Sequence, residues 1–175
     1  MLMQSMTAIQ PELVAVEPVT RKVAFICSKG TLDMAYPALV MGWAALGNGI
    51  DVTIFFTFWG LDIITKKRQP HLQLSPIGNS SMKMGEMGIP NIIGMLPGMT
   101  TVATKMMQSK MHALQIPPVS EYLQMLVDGG AKLYACRMSV DLNGLKKDDF
   151  VDGVKDIVTA GDFMDMSEGA QIIFI

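Results

Sequence analysis

Short apolar runs bounded by turn residues predict five β-strands, at 23–27, 51–56, 132–136, 156–158 and 171–175. The first of these runs is continuous rather than alternating. A continuous run is typical of a strand buried on both faces, as in a parallel sheet. The pattern therefore favours a sheet whose two faces are both covered.

Apolar residues at three- and four-residue steps predict helices between these strands. From Leu32 the apolar positions 35, 39, 43 and 46 lie on one helix face. Asp33 as N-cap places Pro37 close to the first turn, and the glycine-rich residues 47–49 end the helix. Further helices are predicted at 61–67, 100–114, 119–127, 139–144 and 147–154, with a last small one capped by Thr159 or Asp162.

The alternation of strands and helices predicts an α/β fold. We expect a three-layer sandwich with a mostly parallel sheet of about five strands, flavodoxin/Rossmann-like, with right-handed crossovers. A chain of 175 residues fits one domain, at 21–175, preceded by an N-terminal arm at 1–20. Residues 69–118 break the rhythm and are rich in methionine, glycine and proline, so we interpret them as an insertion.

Composition narrows the function classes. Half of the residues are hydrophobic, 17% are charged and the net charge is −2, which gives no reason to expect nucleic acid as a partner. Residues 63–119 are predominantly basic and 139–175 predominantly acidic, a distribution that favours two solvated faces over a partner-binding surface. We expect no secretory signal and no membrane span, and two cysteines favour a reducing, cytoplasmic setting.

Cys136 is the principal candidate for chemistry because it ends a predicted strand. Arg137 follows directly, and a helix is expected to begin shortly after; positive charge and a helix N-terminus both favour thiolate over thiol. A small buried hydrophobe is the competing interpretation. Cys27 also ends a strand, and the two thiols would share one sheet edge if the first and third strands were neighbours.

Other kinds of site find little support in the sequence. The two cysteines and two histidines have no zinc spacing, and the segment after the first strand has no phosphate-binding glycine pattern. Met82, Met84 and Met87 could bind Cu(I), but packing or protein contact explains them better because no Cys or His lies in that stretch. We therefore expect no metal and no cofactor.

Several motifs resemble the DsrE/DsrF/DsrH-like family of sulfur-relay proteins. They are residues 22–33, the aromatic block Phe-Phe-Thr-Phe-Trp-Gly at 55–60, residues 94–99 and residues 134–141. The likeness covers nearly everything after the first twenty residues. It is greatest to a branch with a methionine-rich central insertion, often labelled peroxiredoxin-like, although neither cysteine lies in a peroxiredoxin motif.

The resemblance implies a homo-oligomeric α/β protein whose cysteine carries sulfur as a persulfide or thiosulfonate. Cys136 stands at that position, so the leading hypothesis is a cytoplasmic sulfur carrier or sulfurtransferase that passes sulfur to a partner protein. Arg137 would activate the thiol, and Ser139 would supply a hydroxyl contact. The second thiol or site wall would be formed by Cys27, Ser28 and Trp59.

Two alternatives remain open at this point. One is a non-catalytic oligomeric module that docks a membrane-bound or redox partner through the methionine-rich segment, with peripheral membrane association. The other is a flavin or nucleotide pocket at the sheet edge, which would rest on fold analogy alone.

Overall fold

The computed structural model describes residues 20–75 and 98–175, and the backbone alone of residues 83–84 and 87–88. Nearly all of the predicted N-terminal arm lies outside these residues, as do most of the residues between 76 and 97. Met82 and the side chains of Met84 and Met87, which were considered for Cu(I), also lie outside them. The division into arm, domain and insertion stays a prediction.

A five-stranded parallel sheet confirms the predicted fold class. Its strands are β1 (Lys22–Cys27), β2 (Asp51–Phe56), β5 (Lys132–Cys136), β6 (Val154–Val158) and β7 (Gln171–Phe174). The strand order is β6-β5-β2-β1-β7, and each adjacent pair runs parallel. The two-residue strands β3 (Lys83–Met84) and β4 (Met87–Gly88) pair separately with each other.

Helices connect the strands much as the apolar spacing predicts. The α-helices of the described residues are α1 (Leu32–Gly47), α2 (Leu61–Ile64), α3 (Met99–Ala113), α4 (Val119–Asp128), α5 (Arg137–Asn143) and α6 (Ala160–Met166). Thr159 caps α6 through its hydroxyl, which accepts a hydrogen bond from the Asp162 amide. Short 3-10 helices lie at Phe58–Gly60, Gln69–His71 and Lys147–Asp149.

Three local predictions are wrong. Residues 147–154 do not form a helix, because the Asp149 carboxylate accepts from the Lys146 amide and closes a single 3-10 turn before β6. The helix predicted over 61–67 ends at Ile64. Thr31, not Asp33, is the N-cap of α1, so Pro37 lies inside the helix and leaves the Asp33 carbonyl without its usual amide donor.

The two faces of the sheet are covered unequally. On one face, α1, α2 and α4 bury the larger apolar core, to which Cys27 belongs. On the other face the smaller core contains Cys136, and Phe163 of α6 stacks on Phe55 with ring centroids 4.5 Å apart. Among the described residues, α6 supplies this third layer. The two cysteines therefore lie on opposite faces of one sheet.

Two glycines allow the loops after β1 and β2 to touch backbone to backbone. A Cβ atom at Gly60 would overlap the carbonyl oxygen of Cys27, and one at Gly30 would overlap the carbonyl oxygen of Trp59. Backbone atoms cannot move aside as a flexible side chain can. These glycines are therefore required by close approach, and they fix the end of β2 against the end of β1.

Replacing Gly60 by alanine tests this contact. We expect Gly60→Ala to lower the free energy of unfolding by about 1–3 kcal/mol, because the new methyl group overlaps fixed backbone. Urea unfolding followed by circular dichroism measures the change. Gly47→Ala is the matched control, since beyond its chain neighbours and the backbone of its own helix no heavy atom lies within 4 Å of its Cβ position, and alanine favours a helix. Equal losses of stability in the two variants would contradict the contact.

Candidate functional site

Strand register places Thr57 beside Cys136 at the carboxyl end of the sheet. Phe56 pairs with Ala135 in the parallel ladder between β2 and β5, so the next residues along each strand, Thr57 and Cys136, lie opposite each other. Side chains alternate between faces, and these two therefore project to the same face. Both side chains are largely buried, and Cys136 is only 5% exposed.

The first turn of α5 brings Ser139 to the same place. Cys136 is the N-cap residue, and Ser139 lies three residues later and is fully buried. Its Oγ accepts a 2.8 Å hydrogen bond from the Phe58 amide and lies 3.1 Å from Thr57 Oγ1. Because the Phe58 amide is the donor, the Ser139 hydroxyl proton remains free to point to Thr57 or to the sulfur atom. The two hydroxyl groups thus form a pair beside the thiol.

This hydroxyl pair and the helix amides favour the thiolate form of Cys136. Burial alone raises the pKa of the Cys136 thiol. Hydrogen bonding from the Thr57 hydroxyl, from the Ser139 amide and hydroxyl, and from the Met138 amide outweighs that penalty, and the pKa lies below its ordinary value of 9.0. An inert core cysteine would show burial without these donors. Cys136 is therefore a partly desolvated thiol with an arranged set of donors around its charged form.

Arg137 takes a different position from the one expected. Its guanidinium donates a 3.2 Å hydrogen bond to the carbonyl oxygen of Ile157 on β6. The groups that lower the pKa of Cys136 are hydroxyls and amides, and Arg137 is not among them. The side chain turns toward the neighbouring strand, and activation of the thiol by the charge of Arg137 stays a prediction. Arg137 remains an exposed cation at the rim of the site.

Cys27 and Cys136 both end strands at the carboxyl edge of the sheet, but they lie on non-adjacent strands and on opposite faces. Strand β2 lies between β1 and β5, which separates the two Cα atoms by roughly 10 Å, beyond the reach of a disulfide. Cys27 is level with Phe56 and Ala135 in the ladders, on the face opposite Cys136. Burial raises the pKa of its thiol to about 12. The condition that the first and third predicted strands be neighbours is not met.

Ser28 and Trp59 lie on the β1 side of the site. The amide and the Oγ of Ser28 both donate to the carbonyl oxygen of Ile175, at 2.8 and 2.9 Å, which holds the end of β7. Trp59 is 64% exposed and lines a cleft of ≈ 540 Å³ together with Lys29, Thr31 and Asp62. Neither Cys136 nor Ser139 lines that cleft. Ser139 thus lies beside Thr57 and Cys136, while Ser28 binds the end of β7 and Trp59 lines this cleft.

The sequence pattern did not identify Thr57 and Phe58 as contributors of hydrogen bonds. Both lie within the aromatic block at 55–60. Phe58 adopts a positive φ of 45°, a backbone conformation that is costly for a bulky residue and that occurs often at functional sites. That conformation accompanies the bond from its amide to Ser139. The signal in the sequence was a polar threonine inside an apolar run at a strand end.

The described residues, 20–75 and 98–175, contain neither a metal-ligating cluster nor a helix that could span a membrane. Within these ranges, His, Cys, Asp and Glu side chains do not gather into a group of three that could hold a metal ion. Over the same part of the chain, none of the helices combines the length and the apolar character needed to cross a membrane.

Comparison with known sequences identifies related proteins. Residues 19–175 match the model of the DsrE/DsrF/DrsH-like family. The chain is 38% identical over 139 residues to a protein of Allochromatium vinosum named "Sulfur carrier protein DsrE2", an alignment that covers 77% of this chain and 86% of that protein. It is 29% identical over 166 residues to the uncharacterized protein YrkE of Bacillus subtilis, covering 89% and 98% of the two chains.

Comparison with solved structures supports the fold alone. The crystal structure of the ychN protein from E. coli aligns over 89% of this chain and all of that one, with a TM-score of 0.50 and 11% identity. Such low identity carries no information about residues in the site.

Replacing Thr57 by valine tests the contribution of its hydroxyl. We expect the pKa of Cys136 to rise in Thr57→Val, because a donor to the thiolate is lost while the side-chain volume is kept. Alkylation of Cys136 by iodoacetamide at neutral pH should slow by about 3- to 10-fold, with the pH midpoint displaced upward. Thr65→Val is the matched control, since its buried hydroxyl bonds to the Leu61 carbonyl instead. Equal pH profiles for both variants would rule out this contribution.

The two thiols should differ strongly in reactivity within one folded chain. Raising the pKa of Cys27 from 9.0 to about 12 reduces its thiolate at neutral pH by about 1,000-fold, and burial on the closed face adds to this. Mass spectrometry after brief alkylation should find the label on Cys136, and both sites labelled once the chain is unfolded in urea. Comparable labelling of Cys27 in the native state would contradict the assigned burial.

Proposed function

Because the chain belongs to the DsrE/DsrF/DrsH-like family, we propose that it is a sulfur carrier in which Cys136 holds sulfane sulfur as a persulfide and passes it to a partner protein. The observation that carries the proposal is the donor set around Cys136, formed by the Thr57 and Ser139 hydroxyls and by the first amides of α5. Those groups favour the thiolate, and the thiolate is the nucleophile in sulfur transfer.

Loading requires no redox partner and no cofactor. The Cys136 thiolate attacks the outer sulfur atom of a donor persulfide, R–S–SH. The bond between the donor's two sulfur atoms breaks, Cys136–S–SH forms, and the donor leaves as the thiolate R–S⁻. With thiosulfate as donor, sulfite leaves and Cys136–S–S⁻ remains. Unloading is the same substitution, with an acceptor thiolate as the nucleophile.

The donor set around Cys136 would favour both the loading and the unloading of sulfur. Hydroxyl and amide groups bind an anionic sulfur atom, so they favour the attacking thiolate and would favour it again as the leaving group during unloading. Arg137 lies at the rim, where its charge would contact an anionic donor rather than tune the thiol. In this proposal Ser139 acts through its hydroxyl, together with Thr57.

Sulfur exchange at Cys136 requires another molecule to dock at the site. A thiol that is 5% exposed can exchange sulfur only with a donor or acceptor that docks closely over it. Exposed apolar side chains are available near the site for such docking, namely Phe58, Met138 and Leu142.

Ile172 and Phe174 are exposed on the edge strand β7 and fit self-association. We place the protein in the cytoplasm, where the thiol stays reduced.

Sulfur loading can be read directly as added mass. After incubation with polysulfide or thiosulfate and removal of excess donor, we expect one added sulfur, about 32 Da, on the peptide that contains Cys136. Cys136→Ser should abolish the addition, because serine forms no persulfide, and a reducing agent should remove it from the native protein.

Cys27→Ser is the matched control because it removes the chain's other thiol. We expect that variant to load as the native protein does. Sulfur that persists in Cys136→Ser and disappears in Cys27→Ser would overturn the assignment of Cys136.

A further inference from the structure

The donors around Cys136 include residues of a helix that is too short to be stable on its own. Helix α5 spans seven residues, Arg137–Asn143, well below the roughly 12–15 residues at which an isolated helix becomes marginally stable. Its first turn carries the Met138 and Ser139 donors. The geometry of these groups is therefore set by whatever holds α5 in place.

The last turn of α5 is anchored by three polar side chains. Asn143 Nδ2 donates a 2.9 Å hydrogen bond back to the carbonyl oxygen of Ser139. Its Oδ1 accepts a 3.2 Å bond from Arg68 Nη1, and the same nitrogen pairs with Asp62 Oδ1 at 2.7 Å. A chain of contacts thus runs from a carboxylate through a guanidinium and an amide to the backbone of Ser139.

Ser139 is consequently held at two atoms. The amide of Phe58 binds its Oγ, and the amide group of Asn143 binds its carbonyl oxygen. Both hydrogen bonds to Ser139 depend on one segment of the chain, because Phe58, Asp62 and Arg68 all follow β2 within a short stretch. That segment contacts the first turn of α5 at one end and the last turn at the other.

We propose that Asn143, held by Arg68 and Asp62, is a positioning residue that keeps Ser139 and the first turn of α5 in place beside Cys136. The inference rests on the proposed function only in taking Cys136 as the working thiol. Asn143 acts through Ser139, and it is uncharged. Its removal therefore changes hydrogen-bond geometry at the site without changing the local charge.

The test compares two asparagines that make the same kind of bond. Asn48 Nδ2 donates a 2.7 Å bond to the carbonyl of Ala44 at the end of α1, four residues back, as Asn143 does to Ser139. Asn143→Ala and Asn48→Ala each lose one such bond. The pH dependence of Cys136 alkylation by iodoacetamide is measured for both, resolved by mass spectrometry, together with the thermal midpoint.

Only Asn143→Ala should alter the thiol. We expect its alkylation at neutral pH to slow by about 3-fold or more and the pH midpoint to move upward, while Asn48→Ala keeps the native profile. Arg68→Met, which leaves Asn143 without its anchor, should shift the profile in the same direction. It keeps the inference testable if Asn143→Ala does not fold.

Two distinct failures are separable. Identical alkylation profiles for Asn143→Ala, Arg68→Met and Asn48→Ala would overturn the positioning role, even with lower thermal midpoints in all three. A native protein that takes up no sulfur from polysulfide would instead overturn the proposed function, and the alkylation comparison does not depend on that uptake.

Discussion

The parallel pairing of β2 with β5 is the constraint on which the site depends. One register step beyond Phe56 and Ala135 sets Thr57 against Cys136, on the face away from the larger core. A slip by one residue would turn one of these side chains to the opposite face. Backbone contact through Gly60 and Gly30 fixes the loops that follow β1 and β2. The surroundings of the Cys136 thiol are thus set by the hydrogen bonds between β2 and β5 and by two glycines that let the neighbouring loops touch.

At Cys136, polar groups offset the effect of burial on the pKa of the thiol. Excluding water alone would favour the neutral thiol, as it does at Cys27. Around Cys136, hydrogen bonding from hydroxyl and amide groups favours the charged form and outweighs the cost of excluding water. The same sheet therefore holds two cysteines with opposite displacements of pKa, and local donors account for the difference.

Much of the fold was predictable because each strand of the main sheet contains a distinct apolar run with turn residues on both sides. The site was predictable only as far as Cys136 and Ser139, which lie close together in the sequence. Thr57 comes from another strand, and strand order is not written in any local pattern. The direction of the Arg137 side chain, toward Ile157, was not predictable, because adjacency along the chain does not determine where a long side chain extends. The 3-10 turn after Lys146 resembled a helix start because Asp148 and Asp149 suit both.

The separation of the two thiols bears on how long a sulfur cargo would last. In a protein with a nearby second cysteine, that thiol can attack the inner sulfur of a persulfide, close a disulfide and release hydrosulfide. Cys27 lies on the far side of the sheet and stays protonated, so this internal discharge is closed to Cys136. A chain that carries sulfur on Cys136 would then keep it until another molecule supplies a thiol. The rate of release would therefore depend on encounter with that molecule and not on a reaction within the chain.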